Sequence, residues 1–193
     1  MALVYECTTE LDAVNAMLGM VGEQPVNELT DTEVSMALIA QKTLHRFNRK
    51  IQAKGLNCNT EQNYKFLPDV SDEIPLPSNT LEVINAQGYD TLFVREGKLY
   101  DAYEQSFTFT NPIYADLVLF LQFEQLPQHI REYVMMLAAR RFISDTVGDK
   151  ELLEQTNQDF VDAKAEFLRI EIKNQKNNIL ASPDTYHTVN RRA

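Results

Sequence analysis

Residues 127–143 read PQHIREYVMMLAARRFI, and the rest of the fold can be read outward from them. Pro127 suits the first turn of a helix, where a missing N–H costs nothing. Behind it Ile130, Val134, Met135, Met136, Leu137, Ala138, Ala139, Phe142 and Ile143 are apolar on more than one face. A helix of that kind is expected to be central, with neighbours on several sides. Leu137 and Phe142 are therefore expected to be buried, and Gly148 to end the helix.

Its neighbours are legible on both sides. Upstream, Thr8 or Thr9 can cap a helix carrying Leu11, Val14, Met17, Leu18 and Val21 at helical spacing, stopped by Gly22 and Pro25. A second capping signal at Thr30 to Thr32 opens a helix to about Lys54, with Val34, Ala37, Leu38, Leu44, Phe47 and Ile51 as its seam. Gly55 supplies its stop. Downstream, a fourth helix is expected from Asp149 to about Lys176. Leu153, Phe160 and Phe167 recur every seven residues there, with Thr156, Ala163 and Ile170 between, which makes one packing seam.

Between the second and third helices the texture changes. Pro68, Pro75, Pro77 and Pro112 alternate with Asn, Asp and Ser. Short β-rich runs lie between them: Tyr64 to Leu67, Leu81 to Ile84, Leu92 to Val94, Lys98 to Tyr103, Ser106 to Phe109 and Leu117 to Phe123. FVREGKLYDAY (93–103) reads as a hairpin turning at Glu96-Gly97. The fold class predicted is α+β: a four-helix body (1–55 and 127–176), an inserted small antiparallel β subdomain (56–126) and an extended C-terminal tail (177–193).

Charge narrows the function classes. The chain has 193 residues, 18 basic against 28 acidic, for a net charge of −10. General nucleic-acid binding needs clustered cations that displace phosphate counterions, so this balance disfavours it, and anionic membrane surfaces likewise. Cys7 and Cys58 make no zinc motif or disulfide framework and are expected to be reduced thiols. The N-terminal residues do not read as a signal peptide, and no apolar run approaches the ~20 residues of a membrane span. A soluble intracellular protein is expected.

No catalytic constellation announces itself. His45, His129 and His187 belong to no metal-binding or nucleophile-activating pattern and read as surface or interface histidines. Six glycines leave little with which to build a phosphate cradle. A glycan-degrading enzyme would need two carboxylates facing each other across a sugar. Asp69, Asp72 and Glu73 in one loop, and Asp90, Glu96, Asp101 and Glu104 around the hairpin, are the candidates. Tyr89, Tyr100, Tyr103 and Tyr114 could replace the missing Trp as sugar platforms. Solvated turn residues account for the same carboxylates more simply.

The strongest charge pattern is on the second helix, where Lys42, His45, Arg46, Arg49, Lys50 and Lys54 oppose the apolar seam. It reads as a solvated face or as a surface pairing with another subunit's acidic helix face, carrying Glu151, Glu154, Asp159, Asp162 and Glu166. DNA binding is opposed by the charge of the remaining molecule. In the tail, Ile179, Leu180, Tyr186 and Val189 are apolar or aromatic residues with no visible core partner, before a basic end at Arg191-Arg192. A frayed terminus and an arm docking on another protein both fit.

In order along the chain, ELDAVNAMLGMVGEQPV, TLHRFNRKIQAKG, NYKFLPDV, FVREGKLYD and LPQHIREYVMMLAARRF resemble the tail tubular protein A family of short-tailed phages (podoviruses). The likeness runs over about residues 8 to 176 and lies in the succession of motifs; Leu56 stands where the family carries an aromatic. The resemblance implies a structural virion protein: a head-to-tail adaptor in a ring of twelve copies. One side of such a ring docks on the portal and the other on a tail nozzle of tubular protein B-like subunits. Tail fibres attach at the junction, and the genome is ejected through the middle without specific binding. It implies assembly in the host bacterial cytoplasm, and it brings no catalytic residues, metal or cofactor. Under it, Lys42, Arg46, Arg49 and Lys50 would meet Glu154, Asp162 and Glu166 of a neighbouring subunit, and the tail would reach the portal.

Overall fold

A computed structural model describes residues 9–29, 35–88 and 91–181, with side chains as far as residue 174. The elements are α1 (Glu10–Met20), α2 (Met36–Gln52), β1 (Thr60–Phe66), β2 (Thr80–Ile84), β3 (Leu92–Arg95), β4 (Lys98–Asp101), β5 (Ile113–Leu119), a 3-10 turn (Phe123–Gln125), α3 (Gln128–Thr146), α4 (Lys150–Gln155) and α5 (Asn157–Ala181). The fold is α+β. The chain divides into two compact units, one made of Met1–Asn48 with Phe123–Ala193, the other of Arg49–Gln122.

In the first unit, α1 begins at a reciprocal cap. Thr9 Oγ1 accepts from the Asp12 amide at 3.1 Å, and Asp12 Oδ2 accepts from the Thr9 amide at 3.0 Å. The helix buries Ala13, Val14, Ala16, Met17 and Leu18. Gly22, at φ +79°, takes the left-handed turn that follows it. The α2 helix starts later than the Thr30–Thr32 signal suggests, and Ser35 caps it by accepting from the Leu38 amide at 3.2 Å. Residues 30–34 lie outside the described residues.

The α3 helix buries Ile130, Tyr133, Val134, Met135, Met136, Ala138, Ala139, Phe142 and Ile143. Leu137 is a correction. It is only half-buried, because it shares a narrow outward stripe with exposed Arg141 and Ser144. Neighbours therefore surround α3 on most of its circumference but not all of it.

The expected fourth helix is two. Thr156 interrupts it between α4 and α5: its hydroxyl donates to the carbonyls of Leu152 and Leu153, each at 3.2 Å. Arg140 of α3 donates to the same Leu153 carbonyl at 3.4 Å and to Asn157 Oδ1 at 3.2 Å. Its guanidinium also lies over the Phe160 ring, 4.8 Å from the centroid. With side chains on the Leu153 carbonyl, the break is satisfied without a continuous ladder. The seven-residue seam exists nonetheless. Tyr133 of α3 stacks on Phe167 at 4.5 Å and on Phe160 at 6.3 Å, with Thr156 and Phe167 buried. The α5 helix also runs on to Ala181, so residues 177–181 are helical where an extended tail was expected. Residues 182–193 lie outside the described residues.

In the second unit β1, β5 and β2 form an antiparallel sheet in that order, and β3 pairs with β4 as a hairpin. Glu96 and Gly97 turn that hairpin at φ 54° and 71°, the two left-handed residues such a turn requires. Ser106 to Phe109 is not a strand; it is joined only by isolated bridges, Asp101 to Ser106 and Glu73 to Thr108. The last strand lies earlier than expected, at Ile113–Leu119, and Phe123 belongs to the 3-10 turn. The core gathers Phe66, Ile74, Val83, Leu99, Phe109, Ile113, Ala115 and Leu117. In β1 the pairing register shifts between Glu61 and Tyr64, and the Asn63 amide at φ 52° donates to Asp116 Oδ1 at 2.8 Å. Gln52 and Asn59, both buried, use their amides to tie the end of α2 and the loop after it to the end of β5 and the residues that follow it.

Candidate assembly interface

The basic residues of α2 stand where their spacing puts them. Lys42, His45, Arg46, Arg49 and Lys50 are exposed, opposite buried Ala37, Ala40, Leu44 and Asn48; Lys54 falls in the turn after the helix. His45 Nε2 is 2.8 Å from Glu10 Oε1, which also accepts from Gln41 Nε2 at 2.8 Å, so this histidine ties α2 to α1. Arg46 lies over Phe47 at 5.2 Å. Arg49 and Lys50 belong to the second unit, where Arg49 lies over Phe120 at 5.8 Å. Lys42 and Arg46, both of the first unit, form no ion pair among the described residues.

The acidic residues are distributed over α4 and α5. Glu154 is exposed beside a shallow cleft that Arg140, Leu153 and Asn157 also line. Asp159 and Asp162 are exposed, and Asp162 accepts from Gln158 Nε2 at 2.9 Å. Glu166 is engaged already: Arg169, on the same helix, donates to both of its oxygens at 2.6 and 2.9 Å. Those hydrogen bonds hold the Glu166 carboxyl below the usual carboxylate range.

The sequence reading missed a third feature. Val161, Leu168 and Ile172 on α5 are 46%, 45% and 49% exposed, with exposed Ala165 between them. Their spacing repeats along one helix face, offset from the Phe160–Phe167 seam that meets α3. A second apolar period, displaced by one residue from the first, was the available signal.

Three of the carboxylates weighed for glycan chemistry have structural partners. Asp69 Oδ1 accepts from the amides of Ser71 and Glu73, and Glu73 pairs with Lys98. Asp101 corrects the solvated-turn reading: it is buried, and its Oδ1 accepts from Thr91 Oγ1 and the Tyr103 amide at 3.0 and 2.8 Å. Tyr100 is also buried, under Arg95 at 3.9 Å, whereas Tyr103 is 80% exposed and Tyr114 partly so. Tyr89, Asp90 and His187 lie outside the described residues. His129 is partly buried: its ring lies 6.5 Å from that of Phe167, centroid to centroid, and its Nε2 is 3.5 Å from the buried Glu171 carboxylate. Among the described residues no group of His, Cys, Asp and Glu could hold a metal ion, and no helix is long and apolar enough to cross a membrane. Cys58 is a half-buried thiol, and Cys7 lies outside the described residues. Ile179 and Leu180 fall on the backbone of α5; Tyr186, Val189, Arg191 and Arg192 lie outside the described residues.

Exposed charged and apolar helix faces are the material of assembly. Comparison with known proteins points the same way. Tail tubular protein A of Klebsiella phage KP34 is 32% identical over 168 residues, covering 86% of this chain and 89% of that protein. The sequence model of the tail tubular proteins matches residues 11–177. The chain belongs to the tail tubular protein family and is a structural component of a phage tail.

Proposed function

We propose that the protein is the ring-forming adaptor that joins the portal of a short-tailed phage to its tail nozzle and fibres. The observation carrying this reading is the likeness to a tail tubular protein A over most of both chains. In it, twelve copies surround the channel through which the genome is ejected, after assembly in the host cytoplasm. Twelve chains of net charge −10 carry about −120 together. A wall of that sign repels phosphates, so DNA slides past instead of sticking. The basic residues Lys42, Arg46, Arg49 and Lys50 then serve contacts with the acidic residues Glu154, Asp162 and Glu166 of a neighbouring subunit. Glu166 enters that contact with Arg169 attached, which lowers its share.

The tail contributes the portal contact, with Ile179, Leu180, Tyr186 and Val189 as apolar anchors and Arg191 and Arg192 as a basic end. The glycan-degrading alternative has no comparable support, since Asp69 and Asp101 accept from groups of their own turns and Glu73 pairs with Lys98 of β4. Electron micrographs of the purified protein, alone and mixed with portal rings, test the adaptor. Rings of one diameter, or co-sedimentation with portal, are expected. A protein that stays monomeric in both would overturn it.

A further inference from the structure

The exposed stripe of α5 has the spacing of a coiled-coil seam. Val161, Ala165, Leu168 and Ile172 follow one another at intervals of four, three and four residues, the a/d alternation of a heptad. All of them are exposed, while α3 meets α5 through Phe160 and Phe167 on another side. A seam of that period is fitted by a second helix.

The flanks of the stripe say which helix. Asp162 and Arg169 stand exposed on one flank, each directly after a d position. Lys164 stands exposed on the other, directly before an a position, where Glu171 holds the equivalent place but is buried. Asp159 lies farther round, away from the seam. A second α5 laid antiparallel sets Val161 against the partner's Ile172 and Ala165 against the partner's Leu168. Two-fold symmetry supplies the reverse contacts, so every seam residue meets a seam residue and small Ala165 takes large Leu168. On the flank, Asp162 then meets the partner's Arg169, and Arg169 the partner's Asp162. Laid parallel, the same two helices bring Lys164 beside the partner's Arg169 on both sides, a repulsive pairing. Arg169 already holds Glu166 of its own helix, so these exposed pairs add little affinity; they choose the direction.

We infer that the Val161–Ala165–Leu168–Ile172 face of α5 pairs two unassembled copies of this chain, antiparallel, about a two-fold axis. The contact is self-complementary and closes on two copies, so it cannot propagate around a ring and stands apart from the ring reading. From Val161 to Ile172 the seam is only ~16 Å long, short of a permanent interface. The pairing is therefore weak and concentration-dependent: it covers the apolar stripe of the unassembled protein and gives way to larger contacts.

Sedimentation velocity of the full chain, without portal and over a range of concentrations, tests the pairing. The parent is expected to show a monomer–dimer equilibrium. Leu168→Gln with Ile172→Gln should raise the dimer Kd by about tenfold or more, at an unchanged melting temperature because both side chains are exposed. Arg169→Asp sets like charges across the two-fold axis and should weaken pairing. Adding Asp162→Arg restores opposite signs and should bring it back. A parent that stays monomeric throughout would overturn the inference, as would a dimer untouched by the glutamine pair. A parent that runs as a closed ring, lost in the glutamine variant, would give the face to the ring contact instead of the two-fold. Dimers lost in the glutamine variant but indifferent to the charge exchange would overturn the antiparallel arrangement.

Discussion

Asn59 holds three backbone groups at once. Its Oδ1 accepts from the Leu56 amide at 2.8 Å, and its Nδ2 donates to the carbonyls of Gln52 and Leu119 at 3.0 and 2.7 Å. Removing it strands buried polar groups, so Asn59→Ala is expected to cost on the order of 3 kcal/mol in urea unfolding. A loss no larger than that of a surface substitution would show that water replaces the side chain without penalty. Tyr133 makes a prediction in the alkaline range. Burial pushes its phenol above the ordinary tyrosine value. The unfolded chain then gives up this proton first, so the stability is intact below ~10 and falls as pH rises toward the folded value. Tyr133→Phe keeps the stacking on Phe167 and should flatten the alkaline limb of a stability–pH curve while leaving neutral pH nearly unchanged. An alkaline limb identical to the parent's would assign the loss to another group. Neither residue was legible in the sequence. An asparagine after a helix reads as turn chemistry until its partner Leu119, some sixty positions away, is known.

The helices were legible as far as periodicity reaches. Phe160 and Phe167 at seven-residue spacing located the α5 seam, and Tyr133 is what they meet. The break at Thr156 was not legible, because it depends on Arg140, a residue of another helix reaching the Leu153 carbonyl. Since Thr156 and Arg140 share that carbonyl, Thr156→Val and Arg140→Gln should be non-additive, with a coupling of ~1 kcal/mol in a double-mutant cycle. Strict additivity would mean that the two side chains act independently. The extension of α5 to Ala181 was missed for another reason: residues 177–181 (NNILA) make too short a segment to show a period. In the β region, alternation and turn residues placed β2, β3 and β4 to within a few residues, whereas Ser106 to Phe109 has strand composition without a continuous partner.

At the scale of the whole molecule, composition excluded more than it assigned. A net charge of −10 argues against nucleic-acid affinity, yet the assembly role became legible only through the succession of degenerate motifs along the chain. The portal contact proposed for the tail has its own test. Deleting residues 182–193 should leave the melting curve nearly unchanged and reduce co-sedimentation with portal rings. Ordering an arm costs roughly 1–2 kcal/mol per residue fixed, so only a partner's contacts would hold it. Unchanged co-sedimentation would refute the docking role, and a large drop in melting temperature would place the segment in the subunit's own core.

The irregularity in β1 bears on a different hazard. β1 is an edge of its sheet, with exposed Glu61, Gln62, Asn63, Tyr64 and Lys65 along it. An open strand edge invites the same strand of another molecule, and that pairing propagates into insoluble fibrils. In the proposed ring, copies standing shoulder to shoulder would meet that hazard at high local concentration. The register shift at Asn63, with its amide held by Asp116, interrupts the row of donors and acceptors that a second strand would need. Asp116→Ala should free that amide, and prolonged incubation should then bring turbidity and thioflavin fluorescence that the parent protein does not develop. If the variant stays clear, the charges at Glu61 and Lys65 protect the edge without the bulge. In the proposed ring, keeping the strand irregular would let subunits associate while their sheets stay apart.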